Sequence, residues 1–138
     1  MKKVVVLGCG RLGTIIARAI HSGVVEGVSL HGILCKNSEK NKELAEELSC
    51  MITNSLEEVM EGKPDYVVEA ATKEAVVMHT EQILKKGADI ILLTMGVFVD
   101  ESYYNHIKKV ALVTNQRVHM AAWSAVAMLQ RLTQPIVF

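Results

Sequence analysis

Short runs of β-branched and aliphatic residues alternate with longer amphipathic stretches along the chain. The run KKVVVLG (residues 2–8) is apolar without alternation, the pattern of a strand buried on both faces. RLGTIIARAIHSG (11–23) predicts a helix with Leu12, Ile15, Ile16 and Ala19 on its inner stripe and Gly23 as its stop. GVSLHGIL (27–34) reads as a second strand, and SEKNKELAEELSC (38–50) as a polar helix burying Leu44, Ala45 and Leu48. CMIT (50–53) predicts a short third strand, followed by a small helix at SLEEVM (55–60). PDYVVEA (64–70) is a fourth strand with Pro64 marking its start. TKEAVVMHTEQILKKG (72–87) predicts a helix capped by Thr72, with Val76, Ile83 and Leu84 inward. Lys85 and Lys86 complement its carboxyl-terminal dipole before Gly87. ADIILLT (88–94) and QRVHM (116–120) supply a fifth and sixth strand. Between them, DESYYNHIKKVA (100–111) forms a helix with Tyr104, Ile107 and Ala111 on one face. Strands alternating with helices build a parallel sheet. The expected fold is α/β, a doubly wound three-layer α/β/α sandwich of the Rossmann type.

A chain of 138 residues matches one domain with a single sizeable core. Residues 1–120 carry the strand–helix alternation, and residues 121–138 form a separate carboxyl-terminal segment. Fifteen basic side chains balance fifteen acidic ones, which leaves no electrostatic footprint for nucleic acid or an anionic membrane. No apolar run approaches the roughly 20 residues that span a bilayer. The apolar run at the amino terminus is too short for a signal peptide, so a cytoplasmic protein is expected. Cys9, Cys35 and Cys50 are odd in number and form no CxxC pair, which argues against a disulfide framework. Cys9 reads as a small turn residue with no partner thiol near it in sequence. The five histidines lack metal-ligand spacing, so no metal site is expected.

The stretch GCGRLG places Gly8, Gly10 and Gly13 in G-x-G-x-x-G spacing, directly after a strand and at the opening of a helix. Gly8 permits the tight turn, Gly10 lets a pyrophosphate approach the backbone, and Gly13 brings helix and sheet close. The N–H groups of Arg11 and Leu12 then face an anion at the helix start.

At the end of the second strand a carboxylate would bind the adenosine ribose 2′-hydroxyl of NAD. Here Cys35 stands in that place, followed by Lys36 and Asn37, with Lys40 close behind. A lysine beside a missing carboxylate favours a 2′-phosphate, hence NADP over NAD, although Glu39 works against it. Further along the same sheet edge, Ala70, Ala71 and Gly96 are small residues where the backbone passes a flat ring. Glu69, at a strand end, reads equally as a functional carboxylate or as the partner of a neighbouring lysine.

GCGRLG together with DYVVEAATKEAVVMHTEQILKKGADIILLTMGVFVDESYYNHI resembles the cofactor domain of the L-aspartate dehydrogenase family, part of the wider homoserine dehydrogenase-like group. VVEAA is the most specific phrase, and TMGVFVD is similar to the family's S-[TV]-G-A-[FL]-A-D. The resemblance covers roughly residues 2–120. It implies pyrophosphate contacts at Gly8, Gly10, Arg11 and Leu12, and nicotinamide-side contacts around Ala70, Ala71 and Gly96. Family members oxidise L-aspartate to iminoaspartate with NAD or NADP.

The resemblance stops after RVHM. Where the family continues with Ser-Gly-Ala-x-x-Gly-Leu-Asp and a histidine-bearing substrate domain, this chain reads AAWSAVAMLQRLTQPIVF. The expectation is a truncated relative that binds a dinucleotide without completing turnover alone. The other reading is a non-catalytic dinucleotide-binding or interaction module. The apolar face of Met120, Trp123, Val126, Ala127 and Leu129 predicts either a helix packed on the sheet or a homodimer interface.

Overall fold

The computed structural model describes residues 1–94 and 96–121. The expected segment around Trp123 lies outside them. Six strands form one sheet: β1 (Lys2–Leu7), β2 (Val28–Leu34), β3 (Met51–Thr53), β4 (Tyr66–Glu69), β5 (Asp89–Leu92) and β6 (Val118–Met120). Their order is β3-β2-β1-β4-β5-β6, with every pairing parallel. Five helices connect them: α1 (Arg11–His21), α2 (Lys42–Leu48), α3 (Leu56–Met60), α4 (Lys73–Lys85) and α5 (Glu101–Thr114). This is the doubly wound three-layer sandwich the alternation predicts.

Successive side chains of a strand point to opposite faces, and β1 divides its core residues accordingly. Val5 and Leu7 face one apolar cluster with Val59 of α3, Val76, Ile83 and Leu84 of α4, and Ile107 and Ala111 of α5. Val4 and Val6 face the other, with Ala17 and Ile20 of α1 and Leu44 and Leu48 of α2. Both faces of β1 are therefore dry, which explains its unbroken apolar run.

Two helices differ from their sequence pattern. In α1 the buried residues are Gly13, Ala17 and Ile20, whereas Leu12 and Ile15 are 41% and 53% exposed. The small residues face inward because Gly13 lies against the carbonyl of Gly8, leaving no room for a larger side chain on that face. The segment expected as one helix over 38–50 divides into a 3-10 turn, Ser38–Asn41, and α2.

Thr72 caps α4 as expected, its Oγ1 accepting the Ala75 N–H at 3.2 Å. No helix among the described residues is long and apolar enough to cross a membrane.

Candidate functional site

The register sets the site. β1 pairs Leu7 with Leu34 of β2 on one side and with Glu69 of β4 on the other. Three chain segments therefore leave the sheet side by side at its carboxyl edge: the glycine turn, Cys35–Lys36–Asn37, and Ala70–Ala71–Thr72. In open α/β sheets ligands bind at this edge, where the winding reverses. Here the reversal falls between β1 and β4.

The three glycines meet three different demands. Gly8 has φ +114°, and a Cβ there would lie 2.5 Å from the Ala70 carbonyl oxygen. A Cβ on Gly13 would overlap the Gly8 carbonyl oxygen. Gly10 is the opposite case, since a Cβ there would meet no protein atom within 4 Å. Its missing side chain serves no internal packing, and it keeps open the space over the start of α1. The first helical bond runs from the Thr14 N–H to the Gly10 carbonyl at 3.0 Å, so the N–H groups of Arg11, Leu12 and Gly13 precede the intrahelical ladder. A cradle with an open floor and helix N–H groups at its edge fits a pyrophosphate.

A cleft of about 540 Å³ opens over this floor. Leu7, Gly8, Cys9 and Gly10 line one side, with Leu34, Cys35, Lys36 and Asn37 beside them. Ala70, Ala71 and Thr72 form the next wall. Lys36 and Asn37 are exposed, and Cys35 is buried beneath them. Gly96 faces an adjoining cleft of about 700 Å³ with Lys73, Val77, Met78 and Tyr103. Gly96 is thus separated from Ala70 and Ala71, and the side chain of Met78 borders both spaces.

Other lining residues are absent from the sequence-based site. Asn54 follows β3 at the same sheet edge, and Ala75, Met78 and His79 come from α4. Positions 75, 78 and 79 share a helix face, so helical spacing points to them once the cleft side of α4 is known. Burial, reinforced by the charge of Lys36, lowers the pKa of His79 below its ordinary value.

Glu69 is held by neighbouring N–H groups and Thr94, and the expected pairing with a lysine does not form. It is fully buried and accepts four hydrogen bonds. Oε1 takes the Ala71 N–H at 2.7 Å and the Thr94 hydroxyl at 2.8 Å. Oε2 takes the N–H groups of Leu93 at 3.1 Å and Thr94 at 2.9 Å. No lysine is involved. The carboxylate ties the segment leaving β4 to the segment leaving β5, and so it shapes the cleft wall.

The cysteines overturn the expectation of unpaired thiols. Cys9 and Cys35 are in disulfide contact, with Cα atoms 5.7 Å apart, and Cys50 is free. Parallel neighbours β1 and β2 end together, which brings the two residues together across a sequence separation of 26. The side chain of Cys35 therefore points toward Cys9 at the cleft floor.

Residues 8–121 match the family described as homoserine dehydrogenase, NAD-binding domain. L-Aspartate dehydrogenase of Methanocaldococcus jannaschii is 24% identical over 120 residues, covering 87% of this chain and 45% of the relative. The enzyme of that name from Methanosarcina acetivorans is 30% identical over 128 residues, covering 91% and 46% respectively. The chain thus spans about half the length of these relatives. Among solved structures, GenD2 from gentamicin A biosynthesis in complex with NAD superposes with a TM-score of 0.72 at 15% identity, covering 87% of this chain and 34% of that one. The chain belongs to the family of the homoserine dehydrogenase NAD-binding domain.

Proposed function

We propose that this domain holds NADP(H) in preference to NAD(H) and serves as the cofactor half of an amino-acid dehydrogenase acting on L-aspartate. The observation that carries the reading is the open floor at Gly10, with Cys35 standing where a ribose-binding carboxylate would otherwise be and Lys36 beside it. The N–H groups of Arg11 and Leu12 hold the pyrophosphate over Gly8 and Gly10, with Gly13 keeping the helix in place. The buried Cys35 leaves the adenosine 2′ position to Lys36 and Asn37. Ala70 and Ala71 border the nicotinamide side within the main cleft, and Gly96 borders it from the adjoining one. When bound, the nicotinamide ring supplies the hydride acceptor. The chain's own groups orient the dinucleotide, and the acid–base group on the substrate side comes from outside residues 1–121.

Both relatives are L-aspartate dehydrogenases, which supports L-aspartate as the substrate. Titration with NADPH and NADH, followed by fluorescence and thermal stabilisation, tests the cofactor assignment. Tenfold tighter NADH would refute the preference, and the absence of any response would refute the site. L-Aspartate-dependent reduction of NADP⁺ by this chain alone would refute the assignment of the acid–base group elsewhere. A homodimer through the segment around Trp123 belongs to the same proposal, and sedimentation gives its mass.

A further inference from the structure

We propose that Cys9 and Cys35 form a reversible thiol–disulfide switch in the floor of the cleft, whose bridged form binds the dinucleotide more tightly. The proposal rests on the reading of the cleft as a dinucleotide site. Each cysteine sits beside a residue with a separate task there: Cys9 precedes Gly10 on the open floor, and Cys35 precedes Lys36. Their backbones are fixed from both sides. The Gly8 N–H donates to the Leu34 carbonyl at 2.9 Å, and the Cys35 N–H donates to the Thr53 carbonyl at 2.8 Å. A Cα separation of 5.7 Å falls within the span a disulfide bridges without backbone movement.

The surroundings suit exchange chemistry. The Asn41 side-chain amide donates toward both sulfurs, at 3.5 Å to Cys9 and 3.7 Å to Cys35, and a donor at sulfur favours the thiolate. Asn41 also donates to the Asn37 carbonyl at 2.8 Å, so one amide links both sulfurs to the loop after β2. Cys9 is the more accessible of the pair and lies at the amino-terminal end of α1. Cys50 stands apart, and burial raises its thiol pKa.

A low-molecular-weight disulfide is the oxidant. The Cys9 thiolate attacks one of its sulfurs, the small disulfide bond breaks, and one small thiolate leaves. The Cys35 thiolate then attacks the Cys9 sulfur of the mixed disulfide, forming the bridge and releasing the second small thiolate. Two protein thiols lose two electrons, one small disulfide gains them, and the two protons end on the two released thiols. Reduction by excess small thiol reverses both steps.

The bridge holds the glycine turn and the loop after β2 at one spacing. In the reduced chain the two sulfurs are no longer bonded and must separate, which loosens the floor against the Lys36 wall. Fixing both walls in advance lowers the ordering cost of binding.

The test uses the full chain carrying C50S, so that the thiol count reports only this pair. It is equilibrated with excess oxidised glutathione or excess dithiothreitol. Free thiols are counted after denaturation, and NADPH affinity is measured by fluorescence. The expected result is no free thiol and an affinity at least about fivefold tighter after oxidation, the lower end of ordinary coupling between sites. C9S/C35S should show no difference in NADPH affinity between the two conditions, and comparing the two redox states of the parent needs no variant at the pair. Two free thiols persisting in oxidised glutathione would overturn the switch. So would equal or weaker NADPH affinity in the bridged form. Failure of both forms to bind NADPH or NADH refutes the site and, with it, the coupling, while the thiol count reports bridge formation independently.

Discussion

Glu69 and Thr94 meet twice at the carboxyl edge of the sheet, the threonine giving its hydroxyl to one carboxylate oxygen and its N–H to the other. Together with the Ala71 N–H, they make a buried side chain the clasp between two cleft-forming segments. Glu69→Gln keeps the shape but turns an NH₂ group toward donors. Leaving buried donors unpaired costs about 1–3 kcal/mol each. The expected outcome is a clear fall in the thermal midpoint, with loss of dinucleotide affinity exceeding that of a remote variant of equal stability. An unchanged midpoint would remove Glu69 from this role.

The glycines separate folding from binding. Gly13→Ala should destabilise the chain strongly, since its Cβ would collide with the Gly8 carbonyl. Gly10→Ala should fold with an unchanged midpoint, because nothing in the protein occupies that space. It should lose dinucleotide affinity by about tenfold or more, as the pyrophosphate is pushed off its N–H donors. Thermal melts beside NADPH titrations of both variants check this, and Gly10→Ala binding normally would contradict the cradle.

Cofactor choice at Lys36 is directly measurable. Reversing its charge in Lys36→Glu should weaken NADPH by about tenfold or more while leaving NADH unchanged or improved. The NADPH affinity of the parent chain should also fall more steeply with salt than that of NADH. Equal losses for the two cofactors would locate 2′ recognition elsewhere.

His79 gives the pH dependence a distinct window. Burial and Lys36 hold its folded pKa below the ordinary 6.5, so on acidification the unfolded chain takes up the proton first. Its contribution to stability is whole above about pH 6.5 and is lost as pH falls through the lower folded value. The lowered carboxylates Glu47, Asp65, Glu74 and Glu81 act only below their ordinary values of 4.5, 3.8, 4.5 and 4.5. Thermal midpoints between pH 6.5 and 4.5 should therefore decline less in His79→Gln than in the parent. Parallel curves would rule this out.

Much of the fold is legible in the sequence because two-sided burial leaves a direct mark, an unbroken apolar run, on β1. The cap at Thr72 and the inner face of α4 follow from equally local rules. The errors arise where contacts between distant segments decide. Apolar periodicity in α1 favours Leu12 and Ile15, but the close approach of Gly13 to Gly8 turns Ala17 inward. The cysteine pair depends on β1 and β2 being neighbours, which no spacing motif encodes. The sequence leaves Glu69 ambiguous because three of its four donors are backbone N–H groups, which every sequence has. The glycine turn was readable because its motif and its strand–helix setting lie within one short stretch.

Gly13 rests on the carbonyl of Gly8, and Gly8 rests on the carbonyl of Ala70. Helix, turn and the strand-four exit are thus stacked main chain on main chain, with no side chain between them as a spacer. The relative position of these three pieces is gauged by the radii of backbone atoms. Substitutions elsewhere in the core can change its volume without resetting that gauge, so long as the two glycines remain.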